Sequence, residues 1–236
     1  MIKISHLSKS YNKDKIIDDL SLIIKDGNVF GFLGPNGAGK TTTIKMVVGL
    51  SIPDSGNIRI NAKSPNIIQS REEIGFMPED PYFYDHLTGL EFLIFCGQLF
   101  KKTYSKNKGY YIQIISSVGL FPVRNKMLKT YSKGMKQRLG LAQAIVNDPD
   151  YIFLDEPLDG LDPLGRRQIK QIILDLKKRK KTIFFNSHIL SDVEEVCDQI
   201  GIINKGKLIY NGSIKKFCKG KSLEEAFVNI IGEHSH

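Results

Sequence analysis

The sequence predicts an α/β protein, a core of alternating strands and helices interrupted by a helical insertion. Short apolar runs, NVFGFL (28–33), YIFLD (151–155) and TIFFNS (182–187), read as buried strands, each followed by a stretch of helical spacing. One of these junctions, GPNGAGKT (34–41), is a glycine-rich loop set between a strand and a helix. From about 80 to 147 the alternation stops and the texture becomes helical.

In chain order, residues 2–11 and 15–25 alternate or run apolar and are expected as strands, with Asp26-Gly27 as a turn. NVFGFL follows, and after the glycine loop the helical TTIKMVVGL. PDSG (53–56) is a turn ahead of a further strand, NIRI. In the insertion, Thr88 and Glu91 form a capping box before an apolar run. A second helix is expected near 107–119 and a third from YSKGMKQRL (131–139) onward. The alternation then resumes, with YIFLD and TIFFNS as strands and PLGRRQIKQIILDLKKR and LSDVEEVCD as helices. QIGIIN and KLIYNG are expected as strands, and two short helices finish the chain.

At 236 residues, 41% hydrophobic and 25% charged, the chain has room for a substantial core and an ordinary globular balance. Its start, MIKISHLSKSY, lacks the apolar stretch of a signal peptide. FLIFCGQLF (92–100) and YYIQIISSVGLFPV (110–123) fall short of the roughly 18–20 apolar residues that cross a bilayer. Work at a membrane would need another polypeptide to do the spanning. Cys96, Cys197 and Cys218 form no C-x-x-C pair and read as reduced thiols rather than a zinc site. The net charge of +9 gathers at KKTYSKNK (101–108), KKRKK (177–181) and KKFCKGK (215–221). These clusters lack the aromatic interleaving of a single-strand binder, so they are read as solvated helix ends and loops, and no nucleic-acid partner is expected.

GPNGAGKT fits G-x-x-x-x-G-K-[ST] at every fixed position. Gly34, Gly37 and Gly39 allow backbone N–H groups to close on a β-phosphate without a Cβ in the way. The positive end of the following helix aims at the same point. Lys40 is a mobile cation for the β and γ oxygens, and Thr41 offers a hydroxyl to Mg²⁺. Pro35, Asn36, Ala38 and Thr42 complete the nucleotide-binding stretch. The alternative, a glycine-rich turn that only caps a helix, does not need the strand before it.

A phosphate loop needs a metal anchor from another strand tip, and YIFLDEP (151–157) supplies one. Asp155 emerges at the C-terminal end of a buried strand, where open α/β sheets bind ligands. It would orient Mg²⁺ through a water, and Glu156 would activate the attacking water. Phosphoryl transfer asks for positioning and charge neutralisation more than for covalent chemistry. Two acids ahead of Pro157 also suit a helix N-terminus.

YSKGMKQRL poses a question. Ser132 is a good N-cap, Gly134 is small, and Lys133, Lys136 and Arg138 are basic, so the helix start is shaped for an anion. Yet it lies roughly ninety residues beyond the only obvious phosphate loop.

GPNGAGKT, YSKGMKQR, LDEP, GLD and SH, in that order on one chain, resemble the ATP-binding subunit of ABC transporters. The resemblance runs from Tyr11 to the C-terminal helices. MPEDP (77–81), the SKG-type signature and SLEEAFVNIIGE (222–233) look most like subunits serving ABC-2-type exporters. It implies an α/β fold with a P-loop NTPase core of ABC ATPase type, an antiparallel β subdomain and an inserted α-helical subdomain. Residues 1–79 and 148–236 would form the nucleotide-binding core, and 80–147 the helical subdomain carrying the signature.

The resemblance also implies roles. Tyr11 matches the aromatic that stacks on adenine, the alternative being an ordinary strand-end tyrosine. Glu79 stands where the family usually has glutamine, in the loop that senses Mg²⁺ and γ-phosphate; a carboxylate can still ligand Mg²⁺ but cannot donate an amide hydrogen bond. Asp162 matches the loop that crosses to the partner subunit, and His188 the histidine that touches the γ-phosphate. The implied catalytic set is Lys40, Glu156 and His188, and the metal set Thr41, Glu79 and Asp155. In PYFYDHLT (81–88), at the entrance of the helical subdomain, Tyr82, Phe83 and Tyr84 are either a contact to the membrane subunit or core.

The signature departs from the family's LSGGQ. Tyr131 replaces leucine, Lys133 the first glycine and Met135 the glutamine, which leaves Ser132 and Gly134 as the essential pair. They are expected to reach the γ-phosphate of another molecule's ATP. The implied protein is an ATPase in which two subunits enclose two ATP and Mg²⁺ and drive a separate integral-membrane permease from the cytoplasmic face of the cell membrane. A homodimer is the simplest assembly, and a heterodimer stays open. The rival is an ATP-gated switch regulating a non-transport complex at the membrane. The sequence shows no second cassette, coiled-coil insertion or zinc cysteines of the DNA-repair and ribosome-associated relatives. A non-hydrolysing subunit is disfavoured by Lys40, Asp155, Glu156 and His188 together.

Overall fold

The computed structural model describes residues 1–101, 103 and 105–234. Lys102 and Tyr104 of the first basic cluster, with Ser235 and His236, lie outside the described residues. β1 (Ile2–Tyr11) and β2 (Asp14–Ile24) pair antiparallel, with Ile2 opposite Ile24 and Tyr11 opposite Asp14. β3 (Val29–Leu33) enters a second sheet and runs through the glycine loop into α1 (Lys40–Val47). β4 (Ser55–Ile60) returns to β1 and completes an antiparallel sheet of order β2-β1-β4. A four-residue α2 (Ile68–Arg71), which carries no strong sequence signal, precedes β5 (Ile74–Met77).

The helical region holds α3 (Gly89–Gln98), α4 (Lys108–Ser117) and α5 (Lys133–Ile145). Thr88 and Glu91 form the expected capping box at α3. The alternation resumes with β6 (Tyr151–Asp155), α6 (Pro163–Lys178), β7 (Thr182–Asn186) and α7 (Leu190–Val196). β8 (Gln199–Asn204), β9 (Lys207–Ser213), α8 (Ile214–Cys218) and α9 (Leu223–Glu233) close the chain.

The second sheet has the order β5-β6-β7-β3-β8-β9, parallel except for the β8–β9 pair. β7 therefore lies between the strand feeding the phosphate loop and the strand ending in Asp155. Its last residue, Asn186, is in register with Phe32 on one side and Asp155 on the other.

Side chains alternate along a strand, so each buried strand serves two layers. Phe30, Phe32, Phe153 and Phe184 pack toward α1 and the small sheet. Val29, Leu33, Ile152, Leu154, Ile183 and Phe185 pack on the opposite face with Ile169, Ile173 and Leu176 of α6. The helical region has an apolar cluster of its own, including Leu93, Tyr111, Leu139 and Tyr131. The aromatic group at its entrance divides: Phe83 is buried against Phe92, and Tyr82 is 85% exposed. α5 joins this region to the core by lying directly on β5. A Cβ on Gly75 would fall 1.8 Å from the Ala144 carbonyl oxygen, so only glycine permits the approach.

Candidate active site

The loop after β3 ends in Gly39 at φ 106°, a conformation that favours glycine, and Gly39 N-caps α1 without any side-chain hydrogen bond. The first N–H groups of α1 are thus left for an anion. Gly34 has a different reason to be glycine from the one expected: a Cβ there would sit 2.3 Å from the Ile203 carbonyl oxygen, so the demand is packing. Lys40 folds back over the loop, its Nζ donating to the carbonyls of Gly34 (2.8 Å) and Pro35 (3.1 Å). A cleft of about 620 Å³ opens above, lined by Tyr11, Asn36, Gly37, Lys40, Thr41 and Thr42 together with Glu79, Glu156, Asp159 and His188. Tyr11 is half exposed, with Lys9 Nζ 5.4 Å from its ring centre.

Asp155 lies beneath this cleft, 1% exposed. Its Oδ1 accepts from Asn186 Nδ2 at 2.6 Å and from Thr41 Oγ1 at 3.3 Å. Asn186 Oδ1 accepts in turn from the Glu156 N–H at 3.0 Å. Glu156 takes φ 50°, an unusual turn for a residue with a Cβ, which redirects the chain as it leaves β6. Its carbonyl accepts from buried Gln137 on α5 (3.3 Å). Its Oε2 lies 2.9 Å from His188 Nδ1 and accepts the His188 backbone N–H at 3.2 Å.

Burial holds the Lys40 ammonium below the ordinary lysine range, while Glu156, Asp155 and Glu79 pull it back up. Burial likewise raises the Asp155 carboxyl, against the hydrogen bonds from Asn186 and Thr41 and the charges of Lys45 and Lys40. Each group is charged at a cost that a bound phosphate–cation pair would relieve. Thr41 and Asp155 offer Mg²⁺ two neighbouring hard oxygens. Among the described residues no cluster of three or more His, Cys, Asp or Glu forms a closed cage. The hydroxyl and carboxylate oxygens of the Thr41–Asp155 pair suit a hard cation such as Mg²⁺, which takes one or two protein oxygens and fills its shell with phosphate and water. Exposed Glu79 reaches the same cleft from the loop after β5.

Ser132, Lys133, Gly134 and Asp162 do not join that cleft. They line a separate one of about 410 Å³ with Arg138 and Gln168. The Ser132 hydroxyl accepts from Met135 N at 3.2 Å, which leaves its own O–H to donate outward. Met135 is partly buried against the helical cluster. Asp162 N-caps α6, accepting from Gly165 N at 2.7 Å with Pro163 following. Sequence inspection missed Asn186, Gln137 and Asp159. Asn186 had a signal, a polar residue ending an apolar strand immediately before the Ser187-His188 pair. Gln137 and Asp159 had none, because what they touch comes from distant parts of the chain.

A family model described as "ABC transporter" matches residues 17–159. The chain is 46% identical over 204 residues to an uncharacterized ABC transporter ATP-binding protein of Synechocystis sp., covering 86% of this chain and 58% of that protein. It thus spans less than two thirds of that relative's length. It is 42% identical over 214 residues to the bacitracin transport ATP-binding protein BcrA of Bacillus licheniformis, covering 89% of this chain and 68% of that one. The solved structure of an ATP binding subunit of an ABC transporter superposes with a TM-score of 0.87 at 27% identity, covering 98% of this chain and 99% of that chain. A dimeric ATP-binding cassette solved with ADP and Pi has the same fold, with a TM-score of 0.81 at 23% identity, covering 91% of this chain and 99% of that one.

Proposed function

This chain belongs to the ABC transporter family of ATP-binding proteins, and on that premise we propose that two copies enclose two ATP molecules and hydrolyse them to drive a separate membrane-spanning exporter. The observation that carries the proposal is the division into two clefts. Lys40, Thr41, Asp155, Glu156 and His188 gather around one, while Ser132 and Gly134 open on the other. A helix start ready for an anion and turned away from its own phosphate loop suits a nucleotide held by a partner. The solved dimeric cassette of the same fold supports that arrangement.

In the proposed site Tyr11 stacks on adenine, and the backbone N–H groups left free between Asn36 and Thr42 enclose the phosphates, with Gly34 and Pro35 shaping the loop. Lys40 leaves its loop carbonyls for the β and γ oxygens. Thr41, Asp155 and Glu79 would hold Mg²⁺. The metal, when bound, neutralises charge on the β- and γ-phosphates. Glu156 accepts the proton of the attacking water, and His188 holds the Glu156 carboxylate while facing the γ-phosphate. Ser132, Lys133 and Gly134 of the partner copy meet that phosphate from the opposite side, and Asp162 approaches across the pair. The division into 1–79 and 148–236 as nucleotide-binding core and 80–147 as helical subdomain is supported by the separate apolar cluster of the helical region.

Among the described residues no helix is long and apolar enough to cross a membrane, so spanning falls to the permease in this proposal. The chain would sit on the cytoplasmic face of the cell membrane. Exposed Tyr82 offers that permease a surface on the helical region. The bacitracin transport relative supports a transport role over the regulatory switch. Glu156→Gln should bind ATP, fail to hydrolyse it and elute as a dimer at saturating ATP–Mg²⁺. A monomeric mass for that variant by light scattering would reject the paired arrangement.

A further inference from the structure

Asn186 ends β7 as a fully buried amide behind Ile183, Phe184 and Phe185. Burial obliges both ends of that amide to find partners. Nδ2 donates to Asp155 Oδ1 at 2.6 Å, and Oδ1 accepts the Glu156 N–H at 3.0 Å. The amide has one workable orientation, because turning it over would set its oxygen against a carboxylate and its NH₂ against an N–H. Thr41 Oγ1 donates to the same Asp155 oxygen at 3.3 Å. Asp155 Oδ2 accepts from none of the described residues. The two oxygens of this carboxylate are therefore unequal, one tied by two donors and one left for a cation. With its proton on Asp155, the Thr41 hydroxyl has only lone pairs to offer.

We propose that Asn186 is a specificity-determining residue: it withholds one oxygen of Asp155 from the bound cation and so suits the cleft to Mg²⁺ over Ca²⁺. The inference deepens the ATP–Mg²⁺ reading above and rests on it. Mg²⁺ keeps several waters and asks for one or two protein oxygens, whereas Ca²⁺ gathers about six to eight oxygens and takes a carboxylate through both of its own. A two-oxygen grip on Ca²⁺ needs Oδ1 of Asp155. Freeing Oδ1 means breaking a charge-assisted hydrogen bond and leaving a buried N–H unpaired. A water in the same place would yield to a cation. The amide does not, because its strand and the Glu156 N–H hold it from the other side. Asn186 acts through Asp155, so it is a positioning residue.

ATP binding is measured by calorimetry on the full chain with Mg²⁺ or Ca²⁺ in excess, and the quantity read is the ratio of the two dissociation constants. The parent should favour the Mg²⁺ complex. Asn186→Ser is too short to reach Asp155 and frees Oδ1, so the ratio should move toward Ca²⁺ by about fivefold. Asn186→Asp keeps an acceptor for the Glu156 N–H and replaces the donor by a further oxygen. Its ratio should move further, and Ca²⁺ should raise its melting temperature even without nucleotide. A merely structural role would weaken both complexes alike and leave the ratio in place. Glu79 is the same in every variant, so what it adds to either cation cancels. A parent that binds both complexes equally, a ratio within about twofold of the parent in Asn186→Ser, or an Asn186→Asp melt indifferent to Ca²⁺ overturns the inference. The Asn186→Asp melt decides it if Asn186→Ser fails to fold. Should the parent bind ATP with neither cation, the cleft reading itself fails; should it bind ATP–Mg²⁺ and the ratio not move, the role of Asn186 alone fails.

Discussion

Asn186 and Asp155 end neighbouring parallel strands in register, and the Asn186 amide donates to the buried Asp155 carboxylate at 2.6 Å. The same side chain accepts the Glu156 N–H at 3.0 Å. One amide thus orients the metal-facing acid and the backbone of the residue proposed as base. It stabilises Asp155 only in part, since burial still raises the Asp155 carboxyl above its ordinary range.

That raised value gives a pH-dependent prediction. Between the unfolded and the folded pKa the native state holds more protons than the unfolded state, so stability falls as pH rises through that window. The penalty is present above the folded pKa and vanishes below the ordinary carboxylate range. Asp155→Asn removes the buried charge and keeps an acceptor for Asn186 and Thr41. The variant should melt at a higher temperature than the parent at about pH 8 without nucleotide, with a margin that narrows toward about pH 4. Its ATP turnover should fall by about 100-fold or more, because the Mg²⁺ contact is lost. Thermal melts at both pH values decide it, and an equal margin at both would exclude a charge effect.

Ser132 has a local task and a proposed distant one, and the two can be separated. Ser132→Arg should abolish hydrolysis with ATP binding by the monomer nearly intact, but it also loses the cap to Met135, worth ~1 kcal/mol. Ser132→Asp retains a cap and sets an anion where the partner's γ-phosphate arrives. It should keep the parent's melting temperature and lose hydrolysis about 100-fold. Turnover at the parent rate in Ser132→Asp would refute the contact across the pair.

Gly75→Ala tests the joint between the core and the helical region. The added Cβ would meet the Ala144 carbonyl at 1.8 Å and Pro149 Cγ at 2.8 Å. Backbone cannot yield as a side-chain tip does, so a loss of ~3 kcal/mol is expected in urea unfolding. Displacing α5 also moves Ser132 and Gln137, the buried side chain that holds the Glu156 carbonyl. Hydrolysis should therefore fall more than ATP binding, which depends on the loop after β3. Parent-like stability would mean that α5 can shift on β5 at little cost.

The strands, the long helices, the phosphate loop and the acids after β6 are legible because their chemistry is local. An apolar run, a turn and a cap lie within a few residues of one another, as the Thr88–Glu91 box does. α2 escaped because four residues offer too short a period to read. The reason for Gly34 was also out of reach, since its constraint is a carbonyl from β8, far along the chain. Asp162 was legible as an acid in a motif, and its position showed it to be a helix cap as well.

By itself the sequence determined which groups are available: a lysine and a hydroxyl on a glycine loop, two acids at a strand end, a histidine after another strand, and an unattached helix start. Tertiary structure alone decided which of them meet. The insertion of β7 between β3 and β6 brings Asn186 to Asp155. The left-handed turn at Glu156 brings its carboxylate to His188. Spacing along a chain reports local chemistry, whereas neighbours across a sheet are set by strand order, which depends on the packing of the whole core.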